Sequence, residues 1–332
     1  MSGLIKNDKI FIAGHRGLVG NALVSSLLRQ GYTNIVSASR VELDLRDAHA
    51  VKAFLKAHKP DVVVVAAAKV GGIHANNTYR ADFIFDNLQI QNNLIWGSHE
   101  NDVRSLCFLG SSCIYPRMAP QPMPEECLLT SPLEFTNRPY AVAKIAGLEL
   151  VSSLRQQYSR NYFSVMPTNL YGPGDNFHPE NSHVLPAFIQ RFWQAKLEKQ
   201  KSLKIWGTGK ALREFMYVDD CADAIVHLLK TIKLDSFQAL DIGKQGWSHI
   251  NVGSGQEVSI SQLAQAVAKA IGFEGPVEHD LTKPDGTPRK LLDISLLRQL
   301  GWAPRISLEE GLARTCAWYS DLIEKNPTAL RR

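Results

Sequence analysis

The chain has 332 residues, 45% hydrophobic and 21% charged, with a formal net charge of +5. That length exceeds what one hydrophobic core usually serves, and the composition excludes a disordered or low-complexity polypeptide. Lys and Arg are spread along the sequence without the basic runs of a nucleic-acid arm, and no apolar run approaches the roughly 18 residues that span a bilayer. Residues 1–9 hold no apolar signal segment, so a cytoplasmic protein is expected. Cys107, Cys113, Cys127, Cys221 and Cys316 are an odd number without a C-x-x-C pair, which speaks against structural disulfides and against a metal site.

Ile10–Ala13 is a short apolar run that breaks into Gly14-His15-Arg16-Gly17-Leu18-Val19-Gly20, and Ala22, Leu23, Leu27 and Leu28 follow at helical spacing. The pattern predicts strand, glycine turn and helix, with the glycines admitting a pyrophosphate to the backbone at the positive end of the helix. Just past the second strand, where an acidic residue would hydrogen-bond a ribose 2′-hydroxyl, the chain has Ser39 and Arg40. Positive charge there suits a 2′-phosphate, with Arg16 reaching over from the glycine turn, so NADP is expected rather than NAD. Asp44 lies just beyond, placed for the adenine edge.

Strands read at 34–38, 61–66, Ser105–Leu109 and 164–168, with helical stretches between them such as Ala48–His58 and 87–99. Continuous apolar strands alternating with helices predict a parallel sheet covered on both faces. The expected fold class is α/β, a Rossmann-type doubly wound parallel sheet with a smaller, interleaved α/β substrate lobe. Residues 1–171 and 213–252 are assigned to the sheet domain, and 172–212 and 253–332 to the lobe. Arg213-Glu214-Phe215-Met216-Tyr217-Val218-Asp219-Asp220 is expected to return the chain to the sheet, with Asp219 or Asp220 capping a helix over 222–229. Residues 234–248 are mixed in polarity and read as a surface excursion.

The strand Ser105–Leu109 runs into Gly110-Ser111-Ser112-Cys113-Ile114-Tyr115-Pro116, at the carboxyl edge of the sheet where such folds bind ligands. Pro139-Tyr140-Ala141-Val142-Ala143-Lys144 follows, and on a helix residues four apart share a face. The Lys144 ammonium is therefore expected beside the Tyr140 phenol, favouring its ionised form, while Ser111 hydrogen-bonds a substrate oxygen whose proton Tyr140 exchanges. Alone, Y-x-x-x-K is a common surface pair; its order after the glycine turn and the serine segment makes it a reductase signature. From the residues alone Cys113 reads as a small buried hydrophobe and Cys107 as strand core. His74, in Gly71-Gly72-Ile73-His74, reads as a turn residue, and His178 and His183 are not separated.

With these motifs, and with Pro167-Thr168-Asn169-Leu170-Tyr171-Gly172-Pro173, Asp175-Asn176-Phe177-His178-Pro179, Asn181-Ser182-His183-Val184 and Lys283-Pro284-Asp285-Gly286-Thr287-Pro288-Arg289-Lys290, the chain resembles the extended short-chain dehydrogenase/reductase family of sugar-nucleotide metabolism. The resemblance covers essentially the whole chain. It implies a two-part reaction on a GDP-sugar with a C4 keto group: C3 and C5 are inverted through enolate-like intermediates, and NADPH then reduces C4. The catalytic residues implied are Tyr140, Lys144, Ser111, Cys113 and His183, the cysteine and histidine trading protons at carbon and Tyr140 at the C4 oxygen. For the cofactor the resemblance implies Gly14, His15, Arg16, Gly17, Leu18, Val19, Gly20, Arg40, Asp44, Leu109, Gly110, Ser111, Ser112, Lys144, Pro167, Thr168, Asn169, Leu170 and His183. For the substrate it implies Asn169, Arg191, Trp206, Arg213, Asp285 and Lys290, with Arg213 at the diphosphate and Trp206 offering a flat apolar face. A homodimer through helices flanking the sheet is implied, without nucleic-acid or membrane partners. Two alternatives stay open: an enzyme of a 3-deoxy 4-keto GDP-sugar, inverting C5 only, and an NADP-binding sensor that kept the fold and lost catalysis.

Overall fold

The computed structural model describes residues 3–178, 182–238, 240–283 and 285–325, without the side chains of Ile73 and His74. The His74 side chain, Pro179, Asn181 and Pro284 lie outside the described residues. Strands β1 (Ile10–Ala13), β2 (Ile35–Val36), β3 (Val62–Val65), β4 (Ser105–Leu109) and β5 (Asn161–Pro167) alternate with helices α1 (Leu18–Arg29), α2 (Ala48–His58), α3 (Ile73–Thr78), α4 (Arg80–Glu100) and α5 (Arg138–Tyr158). Then come β6 (Asn169–Tyr171), α6 (Val184–Leu197), β7 (Leu203–Trp206), β8 (Leu212–Tyr217), α7 (Val218–Thr231), α8 (Asp241–Lys244) and β9 (His249–Val252). They are followed by β10 (Glu257–Ser259), α9 (Ile260–Ile271), β11 (Val277–Asp280), β12 (Arg289–Lys290), α10 (Ser295–Gln299) and α11 (Leu308–Lys325).

Six strands pair in parallel in the order β2-β1-β3-β4-β5-β9. The chain leaves β1 towards β2 on one side and later resumes at β3 on the other, so a crevice opens beyond the carboxyl ends of β1 and β3. Every residue of β1, β3, β4 and β5 is buried, because successive side chains point to opposite faces and both faces are covered. Ile10, Ile12, Val62 and Val64 pack with Leu23, Leu27, Ile225 and Leu229 of α1 and α7. Phe11, Val63, Val65 and Phe108 pack with Val51, Leu55, Leu94 and Val151 of α2, α4 and α5. This is a Rossmann-type doubly wound α/β fold.

A third core gathers Ile189 and Phe192 of α6, Leu263 and Val267 of α9, and Leu312 and Tyr319 of α11 around Ile205, Phe215 and Tyr217. Its strands are β10-β8-β12, with β6 on β8, and the pair β11-β7. Leu292, Ile294, Leu297 and Trp302 pack instead into the core of the six-stranded sheet, so the chain crosses between the two bodies once more after β12.

One local expectation is corrected. Helix α7 starts at Val218, and neither Asp219 nor Asp220 caps it: Tyr217 precedes it without a side-chain cap, and the Asp220 carboxylate accepts the N–H groups of Arg305 and Ile306, each at 2.8 Å. Its buried face starts this helix in place of a cap. The segment 234–248 does lie largely at the surface, but it is anchored, for Phe237 and Ile242 enter the core and Arg155 donates to the carbonyls of Lys233 and Leu234.

Glu125 is 4% exposed and accepts the Asn251 N–H at 2.9 Å. Burial raises its carboxyl pKa from 4.5 to about 7. Between those values the folded chain holds a proton that the unfolded chain has lost, so stability falls as pH rises through that window. In thermal melts from about pH 5 to 8, Glu125→Gln is expected to lose less stability than wild type, by on the order of 2 kcal/mol. Equal pH slopes would contradict the assignment.

Candidate active site

Gly14 follows β1 with φ +89°. A Cβ there would stand 2.7 Å from the Ala67 nitrogen, and one at Gly20 would stand 2.1 Å from the Gly14 carbonyl oxygen. The first turn of α1 therefore rests directly on the strand turn, and Gly17 precedes that helix without a side-chain cap. Its leading N–H groups, from Leu18, Val19 and Gly20, have no acceptor within the helix, as an anion site would require. His15 and Arg16 border this turn, and Arg16 and Arg40 are exposed. Glu42, passed over in the sequence, folds back to accept the Ser39 N–H at 2.7 Å. Hydrogen bonds from Ser39 hold its pKa below the usual range, aided by the charges of Arg16 and His15. The Asp44 carboxylate is paired with Arg46 at 2.7 Å, which lowers its pKa to about 2.

At the carboxyl ends of β4 and β5, the Gly110 N–H donates to the Val165 carbonyl at 2.9 Å, and Ser112 is buried. Pro167 closes β5, the Thr168 N–H donates to Val252, and the Asn169 amide donates to the Glu214 carbonyl at 2.8 Å. Leu170 packs against the sheet core.

Ser111 opens a short helical turn over Ser112–Ile114, its hydroxyl accepting the Cys113 N–H at 3.2 Å. The same hydroxyl lies near the Tyr140 phenol and acts to lower its pKa. Tyr140 and Lys144 lie one turn apart on α5, yet the expected electrostatic effect between them is corrected. Lys144 is 3% exposed; its ammonium donates to the Leu109 carbonyl at 2.7 Å and stands 5.9 Å from the Tyr140 ring centre. Desolvation lowers its pKa to about 7. The Tyr140 phenol is pushed well above its ordinary value, first by burial and then by Cys113, against the opposing effect of the Ser111 hydroxyl. Burial outweighs the four-residue spacing, and the phenol is held in its protonated form.

Cys113 is half-buried where the other four cysteines are buried, which corrects its reading as a core residue. Its thiol sulfur accepts from the Lys290 ammonium at 3.5 Å. His183 is the residue before α6. Its pKa is lowered by desolvation of the ring and then by the Lys290 charge, although the residue as a whole is exposed. Lys290 thus meets Cys113, a placement made by the parallel pairing of β12 with β8, which sets Lys290 opposite Arg213.

Arg213, on β8, is desolvated and donates to the Leu212 carbonyl at 2.7 Å. Arg191, on α6, is desolvated too and donates to the Lys204 carbonyl. Trp206 ends β7 at 67% exposure with the Lys283 ammonium over its ring. Asp285 accepts from the Thr208 N–H at 2.9 Å and hydroxyl at 2.8 Å, closing the turn beside Trp206. Among the described residues no group of three metal-ligating side chains converges, and no helix is long and apolar enough to cross a membrane.

Residues 10–243 match the model of the NAD dependent epimerase/dehydratase family. GDP-L-fucose synthase 1 of Arabidopsis thaliana is 55% identical over 314 residues, covering 95% of this chain and 94% of that relative. GDP-L-fucose synthase of Escherichia coli (strain K12) is 51% identical over 318 residues, covering 95% and 97%. Among solved structures, MlghC, a GDP-mannoheptose C4 reductase from Campylobacter jejuni with NADP bound, is similar with a TM-score of 0.87 at 38% identity, over 96% of this chain and 100% of that one.

Because a Cβ at Gly20 meets backbone rather than a movable side chain, Gly20→Ala is expected to cost about 1–3 kcal/mol in chemical denaturation. Dinucleotide affinity is expected to fall with it. Unchanged unfolding and binding would mean that the turn yields freely.

Proposed function

The chain belongs to the NAD dependent epimerase/dehydratase family, and on that premise we propose that it converts GDP-4-keto-6-deoxy-D-mannose to GDP-L-fucose by 3,5-epimerisation and NADPH-dependent 4-reduction. The observation that carries this reading is the linkage of Cys113, Lys290 and His183 to the Ser111–Tyr140 pair. Reduction of a ketone needs an acid for its oxygen, and a thiol and an imidazole linked to one ammonium are machinery for protons on carbon. The identities of 51% and 55% to GDP-L-fucose synthases over 95% of the chain support the same substrate.

The turn over 14–20 fits a dinucleotide, since a side chain at Gly14 or Gly20 would fill its cradle. Arg16 and Arg40 offer positive charge for a 2′-phosphate, and Lys144, anchored on the Leu109 carbonyl, has further N–H groups for ribose hydroxyls. When bound, NADPH supplies the hydride for C4. Ser111 orients the C4 oxygen and Tyr140, kept protonated by burial, gives it a proton. Cys113 and His183 remove and return protons at C3 and C5; thiols and imidazoles both do so near neutral pH, and desolvation favours a neutral, accepting His183. Lys290 sets a positive charge where negative charge builds during enolisation.

In this reading residues 1–171 and 213–252 serve the cofactor, while 172–212 and 253–332 serve the GDP end, with Leu292 to Trp302 packed on the sheet side. Arg213 and Arg191 suit the diphosphate as planar donors, Trp206 the base, and Asp285 the turn between them. Asn169 sits between the two groups of residues. Phe85, Trp96, Val142 and Tyr158 are exposed on α4 and α5, an apolar surface that fits a homodimer through these helices. Sedimentation equilibrium giving a monomer would refute the dimer. Free cysteines and a demand for reduced nucleotide fit the cytoplasm, a placement that cell fractionation checks.

Cys113→Ser is expected to cut deuterium uptake from D₂O at C3 and C5 by about 10²-fold while retaining some NADPH oxidation. Tyr140→Phe is expected to do the reverse. Mass spectrometry and absorbance read the two steps on both variants. Wild-type exchange in Cys113→Ser would remove the thiol from the mechanism.

A further inference from the structure

Asn251, in β9, is fully buried and uses its backbone N–H and both ends of its side-chain amide. Its N–H donates to the Glu125 carboxylate at 2.9 Å, and its side-chain oxygen accepts the Tyr115 hydroxyl at 2.5 Å. Its side-chain NH₂ donates to the carbonyls of Met123 and Asp293, each at 3.0 Å. These partners belong to separate pieces of the chain. Tyr115 closes the turn that carries Cys113. Met123 pairs with Leu292 through the Leu291 carbonyl and the Asp293 N–H, at 2.8 and 2.9 Å. That segment is the continuation of β12, and it carries Lys290. On its other side the Leu292 N–H is held by the buried Glu214 carboxylate at 3.0 Å.

We propose that Asn251 is the positioning residue of the proton-exchange centre, bridging the Cys113 turn to the Lys290 segment so that thiol and ammonium meet at 3.5 Å. β-Pairing with β8 fixes only the strand that bears Lys290. The opposing turn is brought to it by Tyr115, whose hydroxyl reaches across to the same amide that holds Met123 and Asp293. A buried asparagine whose bonds are all made within one element would merely be satisfied; this one joins the two segments whose side chains touch. The inference rests on the proposed epimerase activity, and its test has one arm that needs no substrate.

That arm uses o-phthalaldehyde, which condenses with a thiol and a primary amine in contact, losing water, to give a fluorescent isoindole. Peptide mass identifies Cys113 and Lys290 as the joined pair. The variants are Tyr115→Phe, which removes one hydroxyl, and Asn251→Asp, which keeps the shape but not the donors. In both, isoindole yield is expected to fall about tenfold and the exchange kcat by up to about 10²-fold, the scale of a misplacement of about 1 Å. KM and NADPH affinity are expected to stay within about threefold, because the nucleotide turn is untouched. If Asn251→Asp does not fold, Tyr115→Phe decides alone. Wild-type isoindole yield, or wild-type exchange, in a folded variant overturns the proposal. Wild-type protein that forms the isoindole but neither exchanges protons nor oxidises NADPH would instead refute the proposed function.

Discussion

The Lys144 ammonium, buried and bonded to the last carbonyl of β4, is the constraint around which the reacting edge is built. A lysine there is costly to desolvate, which is why its pKa drops to about 7. The bond ties α5 to the end of the sheet. That tie places Tyr140 against Ser111, and Ser111 in turn organises the turn that presents Cys113. The sheet supplies the rigidity: β4 lies between β3 and β5, buried along its whole length, so its carboxyl end cannot drift without opening the core.

Against this fixed edge the second body brings one strand, β12, and with it Lys290. Two buried polar side chains, Glu214 and Asn251, hold the segment that follows from opposite sides. Burying a carboxylate and an amide is tolerated where each finds several donors or acceptors, and both do here. Reduction and proton exchange are thus assigned to two groups of residues sharing Ser111, Tyr140 and Cys113 as neighbours. In the proposed reading, a reductase pair built at a sheet edge gains an exchange centre when β12 delivers the Lys290 cation to the thiol, His183 coming separately from the residue before α6.

Much of the sheet was legible from local pattern. Ile10–Ala13, Ser105–Leu109 and Ala48–His58 form with the expected bounds, because apolar runs or helical periodicity there are broken sharply by glycine, charge or a capping Asp47. The second strand is shorter than 34–38, as only Ile35 and Val36 find ladder partners on β1. Helix α4 begins at Arg80, ahead of the expected 87: Phe83 in its first turns is buried while Phe85 two residues on is exposed, so the stretch before 87 shows no clean apolar face. The glycine turn, Ser111, Tyr140 and Lys144 could be placed from their order in the chain. The environments of Tyr140 and Lys144 could not, since desolvation depends on residues far away in sequence. Lys290 against Cys113, Glu42 against Ser39 and the Asn251 bridge were hidden too, because each is made by a loop or a pairing that periodicity does not encode.

The central claim is that one pocket exchanges protons at carbon before it reduces. Incubation of wild-type protein with GDP-4-keto-6-deoxymannose and NADPH in D₂O, with the product read by NMR, tests it most directly. The account predicts GDP-L-fucose carrying deuterium at C3 and C5. A reduced sugar nucleotide with protium and unchanged configuration at both carbons would contradict it.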